Sequence, residues 1–185
     1  GFQRSIGEVI ERVTDDVQKF YAKALSSEFL NNSRILSEAS CIMNIILSKT
    51  RNNYIETDIL ESLLNHLMGM LVRLHAGKEI MNPFESETKI LYAESYELSE
   101  EIASEVEREM DLKLPSTEIA FLTLYLHCMD NNEDLLLTEQ VNAIVYEVQE
   151  RLQSINSFAL NKDTLSYARF VIHLKFFVYR VLKKE

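Results

Sequence analysis

Tryptophan is missing from this chain of 185 residues, proline occurs twice and glycine four times. So few breakers and turn formers exclude a strand-rich sandwich, whose tight turns need them, and leave long helices as the expectation. Cysteine is as scarce: Cys41 and Cys128 form neither a CxxC nor a Cys/His ligand spacing. Each is read as a small buried hydrophobe in a reducing, cytoplasmic setting. No run of eighteen apolar residues exists to cross a bilayer, so no membrane span is expected. The opening GFQRSIGEVIERV also lacks the apolar stretch of a secretory signal. Positive charge is short as well. With 19 Lys and Arg against 29 Asp and Glu, the net charge is −10, which disfavours contact between these residues and phosphate backbones or anionic lipid.

What is present suits a folded, all-α chain. Apolar residues make up 46% and charged residues 26%, a globular mix rather than a disordered one. Ile35, Leu36, Ala39, Ile42, Met43, Ile45 and Ile46 keep helical spacing over residues 35–49. Asn52-Asn53 interrupts, Thr57 is placed to N-cap a second helix, and Gly77 to close it as the residue after its C-cap. Asn82-Pro83 opens a short helix through Tyr92, with proline where its missing N–H costs nothing. An acidic helix over 95–110 follows, then Leu114-Pro115-Ser116 and a helix over 118–129. MDNNED at 129–134 reads as a linker before helices over 138–154 and 163–182. About seven helices and no sheet are expected, in a bundle with short connections. Residues 35–129 should form one compact bundle, with Leu63, Leu67, Leu71, Ile119, Phe121 and Leu122 in its core.

The most informative feature is an internal repeat at an offset of 107. Thr57 falls on Thr164, Leu63 on Phe170, His66 on His173, Leu67 on Leu174, Met70 on Phe177 and Arg73 on Arg180. Capping residue, core positions, histidine and arginine recur in register, so two helical pairs share one design. The chain divides into an N-terminal segment (1–33), one complete helical unit (34–132) and the opening of a second (133–185).

His66 and His173 each stand seven residues before an arginine. Seven residues is two helical turns, so ring and guanidinium share a face. Long helical side chains lean toward the N-terminus, bringing Arg73 back toward His66 and Arg180 toward His173. A guanidinium there suits an anion carried on the ring, since its planar fork pairs with phosphate. The competing interpretation is a pair of hydrogen-bonded structural histidines. No metal is expected, because neither ring has a second His or a carboxylate at i+3 or i+4. His75, at a helix C-terminus, is explained by the helix dipole. The glutamates at 85, 87, 94, 97, 100, 101, 105, 107 and 109 read as a solvated face. No nucleophile elbow, phosphate-binding loop or dinucleotide fingerprint occurs, so no enzyme and no cofactor is expected.

The run DTLSYARFVIHLKFFVYRVL, residues 163–182, resembles the opening of a second PTS-regulation domain in the LicT/BglG/SacY class of bacterial transcriptional antiterminators. LLNHLMGMLVRLHAGKEIMNPF, ILYAESY and LPSTEIAFLTLYLHC are similar to the preceding regulation domain of that class. The resemblance covers residues from about 34 to 185, and GFQRSIGEVI is similar to the end of the small RNA-binding domain that precedes these modules. It implies one complete regulation domain (34–132) and the first helices of a second (133–185). It further implies phosphorylation on histidine by the phosphocarrier protein or a sugar permease of the phosphotransferase system. By position, His66 and His173 are the phosphoacceptors, with Arg73 and Arg180 as phosphate contacts. Phosphorylation is then expected to reorganise a homodimer and switch a nucleic-acid-binding domain absent from this chain. One departure stands out: where the family places a second histidine, this chain has Tyr125. His127 lies two residues on, about 200° around the helix. Asn65 replaces the more usual Asp before His66. The runner-up is an inert helical dimerisation module of a DNA-binding transcriptional activator.

Overall fold

The computed structural model describes residues 33–52, 55–82, 84–156, 161–162 and 164–184. The reading of residues 1–32, including the likeness of GFQRSIGEVI, lies outside them, as do Pro83 and Asp163. Among the described residues there are seven helices and no strand: α1 (Ser33–Lys49), α2 (Thr57–His75), α3 (Glu85–Leu91), α4 (Ala93–Met110), α5 (Ser116–Asn131), α6 (Leu135–Asn156) and α7 (Leu165–Lys183). By contact they sort into two units: the described part of Gly1–Ile80 with Ile102–Leu114, and Met81–Glu101 with Pro115–Glu185. α4 contributes to both units.

In the first unit α1 packs on α2. Ile35, Ala39, Ile42 and Ile46 recur at i, i+4, i+7 and i+11 along α1, each buried, and meet the equally buried Leu63, Leu64, Leu67, Met70 and Leu71 of α2. Full burial of each such large side chain is worth about 1.5–3 kcal/mol, so this stripe rather than helix propensity holds the pair. Thr57 does not cap α2. It is the first helical residue, Glu56 occupies the cap without a side-chain hydrogen bond, and the Glu56 carbonyl already accepts from Leu60 N–H at 3.4 Å. The chain enters the helix one residue early, which removes the threonine from the cap position. The other end follows the sequence reading. Gly77 has φ +64°, its N–H reaches Leu74 O at 3.0 Å, and Lys78 N–H reaches Arg73 O at 2.9 Å. These are the two bonds of a Schellman stop, which needs the left-handed conformation glycine adopts without strain.

The second unit is built round α5, which packs against α3 and α6; α7 packs against α3 and α6. Ala120, Leu122, Leu124, Tyr125, Leu126, Cys128 and Met129 are all buried, so α5 is apolar nearly all round, as a central helix must be. Ile119 and Phe121, read as core, are only half-buried. The linker at 129–134 shrinks to three residues. α5 continues to Asn131, Asn132 turns at φ 55°, Glu133 N–H bonds Cys128 O at 3.1 Å, and Asp134 Oδ1 accepts from Leu137 N–H at 2.7 Å. Asp134 thus acts as an N-cap and starts α6 three residues earlier than the apolar pattern indicated. Val141 and Val145 of α6 and Tyr167, Val171 and Val178 of α7 form the core between those helices. Thr164 does cap its helix, accepting from Tyr167 N–H at 3.2 Å. Among the described residues no helix is long and apolar enough to cross a membrane.

Candidate functional site

His66 lies on α2, half-buried, and Arg73, also half-buried, follows two turns later. The guanidinium of Arg73 does lie back along the helix: its Nη1 is 3.3 Å from where a Cβ on Gly69 would stand, one turn nearer the N-terminus, and its Nε is shut off from solvent. Asn65 Oδ1 is sealed from solvent without a hydrogen-bond partner among the described residues. A carboxylate there would be a buried, unpaired charge, and the neutral amide is the less costly occupant. On α7, His173 and Arg180 are both exposed. They lie about 20° apart around the axis, on the side turned away from Tyr167, Val171 and Val178. Ile172, Phe176, Phe177 and Val181 are exposed on the same helix. Tyr125 is buried on α5, in the second unit, whereas His66 and Arg73 belong to the first.

The other two histidines are held by neighbours. His75 Nε2 is 2.5 Å from Glu38 Oε2 of α1, so a cross-helix partner, and not the helix dipole alone, accounts for it. Burial pulls the Glu38 carboxyl upward, but hydrogen bonds and charge from His75 and Arg34 outweigh it and leave the group below its ordinary value. His127 packs its ring 4.4 Å from that of Tyr92. Its Nε2 lies 3.2 Å from Glu133 Oε2 and its Nδ1 3.2 Å from Asn131 Nδ2. With Asn131 at hydrogen-bond distance from Nδ1 and the Glu133 carboxylate within ion-pair range of Nε2, it is built as a structural histidine.

Two polar clusters in the second unit were not legible beforehand. In one, Lys175 Nζ sits 4.2 Å from the centroid of the Tyr92 ring, whose hydroxyl donates to Asn142 Oδ1 at 2.9 Å. Burial holds the Lys175 ammonium below the ordinary lysine value, with Glu133 pulling the other way. Glu133 is itself lowered, chiefly by its hydrogen bond with His127, and burial pushes the Cys128 thiol up to about 11. In the other, Glu87 is buried, accepting from Lys162 Nζ at 2.8 Å and Tyr167 Oη at 2.6 Å; Tyr167 Oη also meets the Gln149 amide. This corrects the solvated-face reading of the glutamates, since Glu87 is interior and Glu105 pairs with Lys49 at 2.9 Å. The signal available for Glu87 was its place one turn ahead of Ile90 and Leu91, an apolar flank rather than a polar one.

Residues 40–128 match the PRD domain family. The chain is also similar to Protein GlcT of Staphylococcus aureus strains JH9, Newman and JH1, at 28% identity in each case. The matches run over 180 residues, 96% of this chain and 62% of each relative. This chain therefore spans somewhat under two thirds of the length of those proteins.

Proposed function

We propose that this chain, whose residues 40–128 match the PRD domain family, is the regulatory module of a bacterial transcriptional antiterminator, controlled by phosphorylation of His66 and His173. The phosphoryl group comes from the phosphocarrier protein or a sugar permease of the phosphotransferase system. Nucleic acid is bound by a domain outside this chain, in the cytoplasm, and the module works as a homodimer without catalysing a reaction of its own.

The observation that carries this reading is the geometry of α7. His173 and Arg180 are both exposed on one face, two turns apart, where a donor protein can present its phosphohistidine in line. A phosphoryl group turns a neutral ring into a centre of nearly two negative charges. A charge-assisted contact from the arginine fork then contributes about 1.5–3 kcal/mol, enough to shift a dimer interface by roughly tenfold or more. His66 with Arg73 repeats the pattern on α2. Tyr125 stands where the second acceptor of the first domain is expected, and a phenol cannot accept a phosphoryl group from phosphohistidine by the same exchange between imidazoles. We therefore assign one acceptor, not two, to residues 34–132.

Incubation with phosphocarrier protein, its phosphoenolpyruvate-dependent kinase and phosphoenolpyruvate tests the reading, with sites mapped by mass spectrometry. Acid-labile phosphate is expected on His66 and His173. His66→Ala should abolish it in the first domain and His127→Ala should leave it untouched. Light scattering should report about twice the 21.5 kDa chain mass. Phosphate on neither histidine, or a clean monomer at micromolar concentration in both states, defeats the proposal.

A further inference from the structure

Glycine in the middle of a helix weakens it relative to alanine, so Gly69, within α2 (Thr57–His75), calls for a reason. Gly77 has one, its left-handed turn; Gly69 has regular helical surroundings. What it does offer is room. A Cβ at position 69 would come 3.3 Å from Arg73 Nη1, tighter than an ordinary van der Waals contact. Residues 69 and 73 are i and i+4 neighbours, and 66, 69 and 73 follow the i, i+3, i+7 rule of one face. The guanidinium therefore lies over bare backbone at the level of Gly69, about 4.5 Å along the axis from the level of His66.

The repeat supplies the contrast. At the offset of 107, Gly69 corresponds to Phe176, which is exposed, as is Arg180. There the i, i+4 neighbour of the arginine is a phenyl ring on the very surface that the first helix leaves clear. The first histidine helix holds its arginine half-buried, with Nε shut off from solvent; the second leaves its arginine in solvent.

We infer that Gly69 is a positioning residue: the missing side chain holds the Arg73 guanidinium back along α2 toward His66, and so makes His66 a preorganised phosphate site and His173 an open one. The inference rests on the phosphoacceptor reading for its consequence, but the placement of Arg73 is testable without it. An arginine already laid along the helix loses little further freedom when it meets a phosphoryl group, whereas Arg180 must first be ordered.

The test uses the whole chain, unaltered and as Gly69→Ala and Gly69→Phe, with two readouts. The first is solvent exchange of the Arg73 Nε proton, followed by NMR in the unphosphorylated protein. The second is labelling with phosphoramidate, in which the P–N bond to the leaving ammonia breaks as the imidazole nitrogen bonds phosphorus, the ammonia taking up the displaced proton. His173 on the same chain is the internal reference. The ratio of His66 to His173 labelling is expected to fall about threefold in Gly69→Ala and about tenfold in Gly69→Phe, with Arg73 exchange quickening in the same order. Gly69→Ala should meanwhile raise the melting temperature by roughly 2–4 °C, so a merely structural glycine predicts a firmer helix with an unchanged ratio. Unchanged exchange in both variants overturns the inference, and so does an unchanged ratio once exchange has quickened. If His66 takes no phosphoryl group in the unaltered chain, the proposed function falls, and the exchange measurement alone decides whether Gly69 places Arg73.

Discussion

The helices α2 and α7 carry one pattern and live in different surroundings. On α2 six residues are buried, Leu63, Leu64, Leu67, Met68, Met70 and Leu71; on α7 only Tyr167, Val171 and Val178 are. Met70 is 2% exposed, and its counterpart Phe177 is 59% exposed. Equivalent apolar periodicity thus yields a core helix in one place and a half-covered one in the other, because burial depends on what else packs there. The attachment differs too. α2 meets α1 through aliphatic side chains and the half-exposed His75–Glu38 pair, whereas α7 is anchored by the buried Tyr167–Glu87 hydrogen bond, with Lys162, just ahead of the helix, also bonded to Glu87.

The comparison can be broken most directly at Met70 and Phe177. Met70→Ala should cost about 2–5 kcal/mol in urea unfolding, while Phe177→Ala should stay within about 0.5 kcal/mol. Equal losses would erase the contrast. Next is the polar anchor. Tyr167→Phe leaves Glu87 and the Gln149 amide without the hydroxyl, and should cost about 1–3 kcal/mol with the helical circular dichroism retained. Capping comes third: Thr164→Ala should lose about 1 kcal/mol and Thr57→Ala no more than roughly a few tenths, since only the former accepts a backbone N–H.

The smallest effect tests the α1–α2 contact, through the Glu38–His75 pair. The Glu38 carboxyl is held below its ordinary value in the fold, so its contribution is present above the unfolded carboxylate pKa and is lost as pH falls through the folded one. Glu38→Gln should cost about 0.5 kcal/mol near neutrality, a modest figure because the pair is partly solvated. Paired unfolding curves should converge below about pH 4; a gap that persists in acid would assign the cost to packing instead.

Much of the molecule was legible because the relevant forces are local. The helix stop at Gly77, the break before Ser116 and the shared face of histidine and arginine follow from dihedral preferences and bonds within one or two turns. The failures were of two kinds. Thr57 and Asp134 show that a capping residue marks a helix start only to within a few positions. Glu87 shows a different limit: read among its neighbours it belongs to an acidic surface, yet its partners Lys162 and Tyr167 lie 75 and 80 residues away.

By itself, then, the amino-acid order determined the helical class, the duplicated histidine helix and the shared face on which His66 and Arg73, and likewise His173 and Arg180, lie. Only the tertiary structure decided which of those faces is covered, that Glu87 is interior, that Lys175 lies half-buried over the Tyr92 ring, and that His75 and His127 lie against Glu38 and Glu133. The reason is physical. Helix hydrogen bonds close within four residues, so their pattern is written in neighbours, whereas desolvating a charge is tolerable only when a distant partner is brought to it by packing.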